Sequence, residues 1–228
     1  MTRSVLPASL DALKLRAELA AVLAQDGWSS PAARQAGLGR VKASLDRFRE
    51  QAFARLSGQG GGAAAAQTLA DGMSVCLHAL FDSMASSDPE GSAGVALCAL
   101  GGFGAGELAP SSDVDLLLIK PDGENPKTDA FLQQVLYALW DLKIDVGGGA
   151  CRSIDETLDL TREDASERTA LLSLKHLAGD EMQTQSLALR FREEVVAGDF
   201  RALWKPSCAN AMPASRRPAA HAIRSNRI

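Results

Sequence analysis

The sequence predicts an α/β protein of the α+β kind, in which a short mixed sheet lies within a mostly helical chain. Apolar residues recur at helical spacing over residues 9–25, 39–57, 64–84, 128–142 and 154–197. Short apolar runs bounded by glycine, proline or serine, as is typical of strands, occupy residues 95–100, 113–119 and 143–148. Helices are therefore expected to precede and follow the sheet.

The N-terminal part of the chain predicts a helical domain over residues 1–87. Its first two helical segments combine periodic apolar positions with alanine, arginine and glutamate, a pattern that favours amphipathic helices. The glycines of SGQGGGAAAA, residues 57–66, predict an interruption before the third helix. The polar run ASSDPEGSAG, residues 85–94, predicts the turn that ends this domain.

A second domain, which holds the sheet, is predicted over residues 88–198. Its strands are VALCAL, DVDLLLI and KIDVGG, and a helix over 128–142, with Thr128 or Asp129 as its N-cap, separates the last two. Trp140 lies on the apolar stripe of that helix and is expected to pack in the core. A later helix is predicted to begin after an Asp164 N-cap and to end near Gly179.

The last part of the chain, residues 199–228, predicts a disordered or foreign basic tail. Residues 200–228 contain 6 basic and no acidic residues, whereas residues 1–199 contain 28 acidic and 18 basic residues, a net charge of −10. An acidic body argues against a protein that coats nucleic acid, because phosphate neutralisation needs clustered lysine and arginine. We expect no nucleic-acid partner.

Neither a membrane anchor nor an export signal is predicted. No run approaches about 18 consecutive apolar residues, and the N-terminus carries charges where a signal peptide has its apolar core. The four cysteines are scattered without the spacing of metal ligands, which predicts reduced thiols. A cytoplasmic protein without a membrane partner is therefore the expectation.

Two aspartates open the second predicted strand. Because side chains alternate along a strand, Asp113 and Asp115 should project from the same face, about 6.6 Å apart along the strand. Two carboxylates this close resist joint ionisation unless a cation compensates, and Mg²⁺ prefers oxygen ligands of this kind. The pair suggests a magnesium site; alternatively, one aspartate caps the loop and the other is a solvated strand residue.

A glycine cluster, GGFGAG, lies between the first strand and these aspartates. Gly101 and Gly102 could present backbone N–H groups to phosphates, because they lack a side chain. A dinucleotide-binding fingerprint needs glycine where the chain has Glu107, and a P-loop needs lysine there, followed by serine or threonine. The cluster therefore matches neither of these two phosphate-binding loops.

The combination of a strand, two glycines, ten residues and Asp-Val-Asp resembles the polymerase-beta-like nucleotidyltransferase superfamily. The order of GGFGAGELAPSSDVDLLL, LWDLKIDVG, CRSIDETLDLTREDASERTALL and LAGD is similar to the nucleotidyltransferase part of bacterial PII uridylyltransferases, which are bifunctional uridylyltransferase/uridylyl-removing enzymes. The likeness covers about residues 10–197. It implies a polymerase-beta-like core and Mg²⁺-dependent transfer of UMP from UTP to a tyrosine of a PII-type nitrogen-signalling protein.

The resemblance also implies roles for three carboxylates. Asp113 and Asp115 would bind Mg²⁺, as two such ligands do in the superfamily. Asp145 is the candidate for a third carboxylate that helps to deprotonate the nucleophile, and it equally suits a solvated strand end.

Nucleotide binding is implied for a further set of residues. Gly101 and Gly102 would approach the triphosphate. Ser112 would either donate a hydrogen bond to a phosphate oxygen or only stabilise a turn. Arg152 would either meet a phosphate or pair with the acidic surface.

The chain departs from the family pattern at several places. Ala105 replaces the usual arginine, which removes a cation next to the glycines, and residues 147–149 are glycines where a histidine is usual. No segment resembles the family's hydrolase or glutamine-sensing domains, so a truncated chain with impaired transfer is expected. Two alternatives stay open: an inactive remnant of that enzyme, or a stand-alone nucleotidyltransferase with another substrate. No motif separates UTP from ATP.

Overall fold

The computed structural model describes residues 10–24, 27–56, 61–110, 112–144, 146 and 151–197. Its N-terminal part contains a 3-10 turn at Gly27–Ser29 and three long helices, α1 (Leu10–Leu23), α2 (Pro31–Leu56) and α3 (Gly61–Ser87). Helix α2 begins well before the start predicted at residue 39. Pro31 explains this start, because its fixed φ suits the first turn of a helix.

Helices α2 and α3 approach each other closely at a buried glycine. A Cβ built at Gly72 would lie 2.2 Å from Cγ of Phe48, so only glycine leaves room for this ring. Trp28 packs in a similar way over Gly37, and its indole N–H donates to Ser83 Oγ at 3.2 Å. These contacts pack the 3-10 turn and α2 against α3.

A four-stranded mixed sheet with the order β3-β2-β1-β4 follows the N-terminal helices. Its strands are β1 (Ala96–Ala99), β2 (Leu116–Ile119), β3 (Cys151–Arg152) and β4 (Lys175–Gly179). Strand β1 pairs antiparallel with β2 and β4, and β2 pairs parallel with β3. An isolated parallel bridge also joins Val114 to Val146.

Side-chain caps begin four of the five remaining helices in the described part of the chain, the first being the exception. These five helices are α4 (Gly101–Gly104), α5 (Pro126–Asp141), α6 (Ile154–Glu163), α7 (Ala165–Leu171) and α8 (Glu181–Arg190), followed by a π-helical turn at Phe191–Val196. A capping box begins α6, because the Ser153 side chain accepts from Glu156 N and the Glu156 side chain accepts from Ser153 N. Helix α8 begins after Asp180, whose carboxylate accepts from Met182 N.

Both faces of the two central strands are buried. Leu97 and Leu118 belong to an apolar cluster that runs through the N-terminal helices and α5. Cys98 and Leu117 belong to a second cluster, which includes residues of α6, α7, α8 and the π-helical turn. The sheet is therefore the middle of three layers, and this explains why its strands are continuous apolar runs.

The predicted third strand, residues 143–148, is wrong at Lys143 and Ile144, whereas Val146 forms the isolated parallel bridge with Val114. Lys143 and Ile144 complete the C-terminal turn of α5, where their N–H groups donate to Trp140 O and Leu139 O at 2.8 and 3.0 Å. These bonds satisfy carbonyls that the helix end leaves free. The strand that pairs with β2 is β3, and residues 145 and 147–150 lie outside the described residues.

The helix predicted over 164–179 is correct only in its first half. Asp164 caps α7 as predicted, since its carboxylate accepts from Ser166 N at 2.7 Å. The helix ends at Leu171, however, and residues 175–179 form the edge strand β4. Pairing with β1 is a tertiary interaction, and it overrides the helical pattern of this segment.

Helix α5 also differs from its prediction at both ends. Its N-cap is Asn125, whose side chain accepts from Lys127 N, rather than Thr128 or Asp129. Trp140 is 56% exposed, so the prediction that it packs in the core is wrong. Leu139 is the residue that faces the core, and Trp140 lies beyond the edge of the buried stripe.

The predicted fold class is confirmed as a mixed α/β arrangement whose short mixed sheet has helices before and after it. One apolar cluster includes side chains on both sides of residue 87, from α1 to the sheet. The division into domains at that residue stays a prediction. Within the described part of the chain, none of the helices has the length and apolar character to cross a lipid bilayer.

The α2–α3 contact predicts opposite effects for two glycine substitutions. Gly72→Ala should lower the free energy of unfolding by about 1–3 kcal/mol, because the new methyl group overlaps the Phe48 ring. Gly39→Ala should raise it by about 0.5–1 kcal/mol, because nothing lies within 4 Å of the new Cβ and alanine favours the helix. Urea unfolding of both variants measures these changes. Equal effects would contradict the described packing.

Candidate functional site

The glycine cluster and the second aspartate are in direct contact where β1 ends. Leu100 N donates to Asp115 O at 3.0 Å, which continues the pairing of β1 with β2. Gly101 follows with a φ of +53°, in the left-handed region that favours glycine. A Cβ at Gly101 would lie 2.5 Å from Asp115 Oδ2. Because Gly101 has no side chain, the Asp115 carboxylate can lie over the turn.

The other glycines of the cluster permit close backbone packing. A Cβ at Gly104 would lie 2.0 Å from Ser173 O, and one at Gly102 would lie 3.0 Å from Glu107 O. Gly106 has a φ of +85° in the turn that follows α4. These close contacts explain why glycine occupies these positions. The phosphate-binding role of Gly101 and Gly102 stays a prediction.

Asp113 and Asp115 lie on the same face of the segment that leads into β2. Both are exposed, whereas the alternating residues Val114 and Leu116 are each only 5% exposed. Partial burial raises the pKa of Asp115, and the negative charges of Asp113 and Glu167 raise it further. The site therefore holds like charges whose repulsion a bound cation would relieve.

The carboxylate pair suits a hard divalent cation such as Mg²⁺. Mg²⁺ is usually bound by one or two protein carboxylates together with waters and substrate phosphates. Across the described residues, no group of three or more His, Cys, Asp and Glu side chains is arranged to hold a metal. Within the described residues, Asp113 and Asp115 are the candidate ligands. Asp145, the predicted third carboxylate, lies outside the described residues.

Arg152 lies on β3 and forms an ion pair with Glu167 of α7, with 3.1 Å between Nη1 and Oε2. The two side chains are only 17% and 31% exposed, so solvent weakens this pair less than it weakens a surface pair. Glu167 was not predicted as part of the site. No motif marks it, because it approaches Asp115 only through the packing of α7 beside the sheet.

The sequence has relatives among named enzymes, although no protein-family model matches it. It is 39% identical over 194 residues to a bifunctional uridylyltransferase/uridylyl-removing enzyme of Phenylobacterium zucineum, covering 83% of this chain and 21% of the relative. A Caulobacter vibrioides enzyme of the same name is 34% identical over 192 residues, covering 82% and 20%. The chain is homologous to part of the bifunctional uridylyltransferase/uridylyl-removing enzymes. It spans about one fifth of the length of these relatives.

Two further positions of this uridylyltransferase homologue lie in the segments of the site: Ser112 directly precedes Asp113, and Ala105 follows α4. The Ser112 hydroxyl donates to Ala109 O at 2.9 Å, so it stabilises a turn in the structure. Its predicted hydrogen bond to phosphate stays a prediction. Ala105 is exposed at the end of α4 and leaves that place without a cationic side chain.

The like-charge repulsion predicts a pH-dependent effect of Asp115→Asn in this homologue. Because the folded pKa of Asp115 is raised above 3.8, the wild type should lose stability as the pH rises through that value and the folded pKa. The asparagine variant lacks this loss, so its melting temperature should exceed that of the wild type at neutral pH and should match it more closely in acid.

Thermal unfolding between about pH 3 and pH 7 tests this prediction. Asp122→Asn, in the exposed turn after β2, is the matched control and should follow the wild type. A difference between Asp115→Asn and the wild type that is constant with pH would contradict the electrostatic interpretation.

Proposed function

We propose that the chain is a Mg²⁺-dependent nucleotidyltransferase module that transfers UMP from UTP to a tyrosine of a PII-type signalling protein in the cytoplasm. The contact of Gly101 with Asp115 carries this proposal, because it joins the glycine turn and the carboxylate pair in one site. The names of the two relatives support the uridylyl group. The family resemblance supports the tyrosine acceptor.

The glycine turn and the carboxylates would contact different phosphates of the nucleotide. The β- and γ-phosphates would lie at the backbone of Gly101 and Gly102, beside the Asp115 carboxylate, and the α-phosphate would lie toward Asp113. Mg²⁺ bound by Asp113 and Asp115 would neutralise phosphate oxygens as charge develops on them. Arg152 pairs with Glu167, whose negative charge raises the pKa of Asp115, and would offset part of that charge.

The transfer is an in-line displacement at the α-phosphorus. The tyrosine hydroxyl oxygen forms the new bond to phosphorus, and the bond from phosphorus to the oxygen that bridges to the β-phosphate breaks. Pyrophosphate leaves on the side opposite to the attack. The phenol proton passes to a carboxylate, for which Asp145 is the candidate.

Nucleotide binding tests the site without requiring turnover. Mg²⁺ and UTP at about 100 times the Kd should stabilise the protein by about 2.7 kcal/mol, measured as a higher melting temperature. The double variant Asp113→Asn/Asp115→Asn should lose this shift while staying folded, because the substitutions only remove charges on an exposed surface. A shift that persists in the double variant would refute the assigned metal ligands. ATP in place of UTP tests the base preference.

Transfer is tested by incubating the chain with labelled UTP, Mg²⁺ and a PII-type protein. The expected product carries UMP on a tyrosine, which mass spectrometry of its peptides identifies, and the double variant should give none. Nucleotide binding without transfer to the PII-type protein would favour an inactive remnant or a different acceptor. Labelling by the double variant would show that the reaction does not use these carboxylates.

A further inference from the structure

A cavity of about 450 Å³ lies between the N-terminal helices and the loop that leads into β2. Its volume is in the range of ligand sites. Two cationic residues line it, Arg49 from α2 and Lys143 from the end of α5. The apolar part of its wall includes Phe48, Phe53, Leu69 and Met73.

The cavity borders both segments that lead to the candidate carboxylates. Residues 112–114 and 143–144 form part of its wall, whereas Gly101 and Asp115 do not. Asp113 and Val114 both contribute although their side chains alternate between the faces of the sheet, so the cavity reaches the end of the sheet where the aspartates lie. Of the two candidate carboxylates, only Asp113 borders the cavity.

We infer that this cavity binds the acceptor, as a tyrosine ring together with acidic residues that flank it. The inference rests on the proposed function. In an in-line displacement, the attacking oxygen arrives opposite to the leaving group. If pyrophosphate leaves at Gly101 and Gly102, the nucleophile would come from the other side of the α-phosphate, and the cavity, which borders Asp113 but neither of these glycines, would supply it.

The chemistry of the wall favours an acidic acceptor segment over the nucleoside part of the nucleotide. An aromatic ring can pack on Phe48 and Phe53 and keep its hydroxyl in the polar part of the site. The wall has two cationic residues and one acidic residue, Asp113, which is a proposed Mg²⁺ ligand, so an acidic segment would complement the cations and the uncharged nucleoside would not. Arg49 pairs with Asp46 at 3.1 Å, but both side chains are about half exposed, so this weak pair can give way to a ligand.

Lys143 shows an unusual backbone conformation at this place. Its φ is +56°, and it alone among the described non-glycine residues has a positive φ. Glycine or asparagine would adopt this conformation with less strain. A strained residue held at a cavity wall is a reason to look for a role of its side chain.

The conformation of Lys143 also provides variants that should fold. Lys143→Gly and Lys143→Asn remove the charge and relieve the strain, whereas Lys143→Arg keeps both. The probe is a fluorescent peptide with a single tyrosine between glutamates, and its binding to the 228-residue chain with Mg²⁺ and UTP is followed by anisotropy. Lys143→Gly and Lys143→Asn should weaken binding about fivefold, and Lys143→Arg should not.

The ring contact is tested by Phe53→Ala, which should weaken binding of the peptide about tenfold because the exposed ring is lost from the cavity. Leu13→Ala is the matched control: Leu13 is exposed on α1 to a similar extent, lies outside the cavity wall and should have no effect. A peptide with lysines in place of the glutamates should bind more weakly than the original.

The melting-temperature shift caused by Mg²⁺ and UTP separates this inference from the proposed function. The inference holds if the Lys143 and Phe53 variants lose peptide affinity and keep that shift. Loss of the shift in these variants would make the cavity a nucleotide subsite and overturn it. No peptide binding by a wild-type chain that binds UTP would also overturn it. Peptide selectivity without any UTP shift would instead refute the proposed function.

Discussion

The contact between the Gly101 backbone and the Asp115 carboxylate is the constraint on which the site depends. It requires a residue without a side chain, in a left-handed conformation, at the point where β1 ends. The hydrogen bond from Leu100 to Asp115 fixes the register of the two segments. Gly104 then packs α4 against Ser173, just before β4. One turn therefore sets the positions of β1, β2 and β4 around the aspartates, and a side chain at either glycine would displace the site as a whole.

Among the described residues, the ion pairs of the site leave one carboxylate pair, Asp113 and Asp115, without a cationic partner. Arg152 pairs with Glu167, which together with Asp113 raises the pKa of Asp115. Asp113 and Asp115 lie on the same exposed face, and no described residue forms such an ion pair with either of them. The two carboxylates therefore repel each other in the folded chain, and binding of a divalent cation would relieve this repulsion. This also gives Arg152 a role beside the site that does not require contact with a phosphate.

The sequence predicts those parts of the fold that short-range chemistry determines. Apolar runs locate β1 and β2, and Asp164 marks the start of α7 because its side chain caps the helix locally. Strand β4 escapes prediction because its pairing partner, β1, is remote in the chain, and the same segment has apolar residues at helical spacing. The alternation of strand side chains predicts that Asp113 and Asp115 have a common face. The approach of Glu167 and the cavity at Lys143 are products of tertiary packing, for which no local pattern exists.

The N-terminal helices pack in the same apolar cluster as the sheet. Leu108 N donates to Ala66 O of α3 at 3.3 Å, so α3 supports the loop that carries the aspartates into β2. Phe48 connects this support to the cavity, because its ring fills the space above Gly72 and also lines the cavity wall. A change in the packing of α2 on α3 would therefore alter the shape of the cavity together with the stability of the helices. For this reason we expect substitutions at Phe48 or Gly72 to affect the cavity and the packing of the helices together.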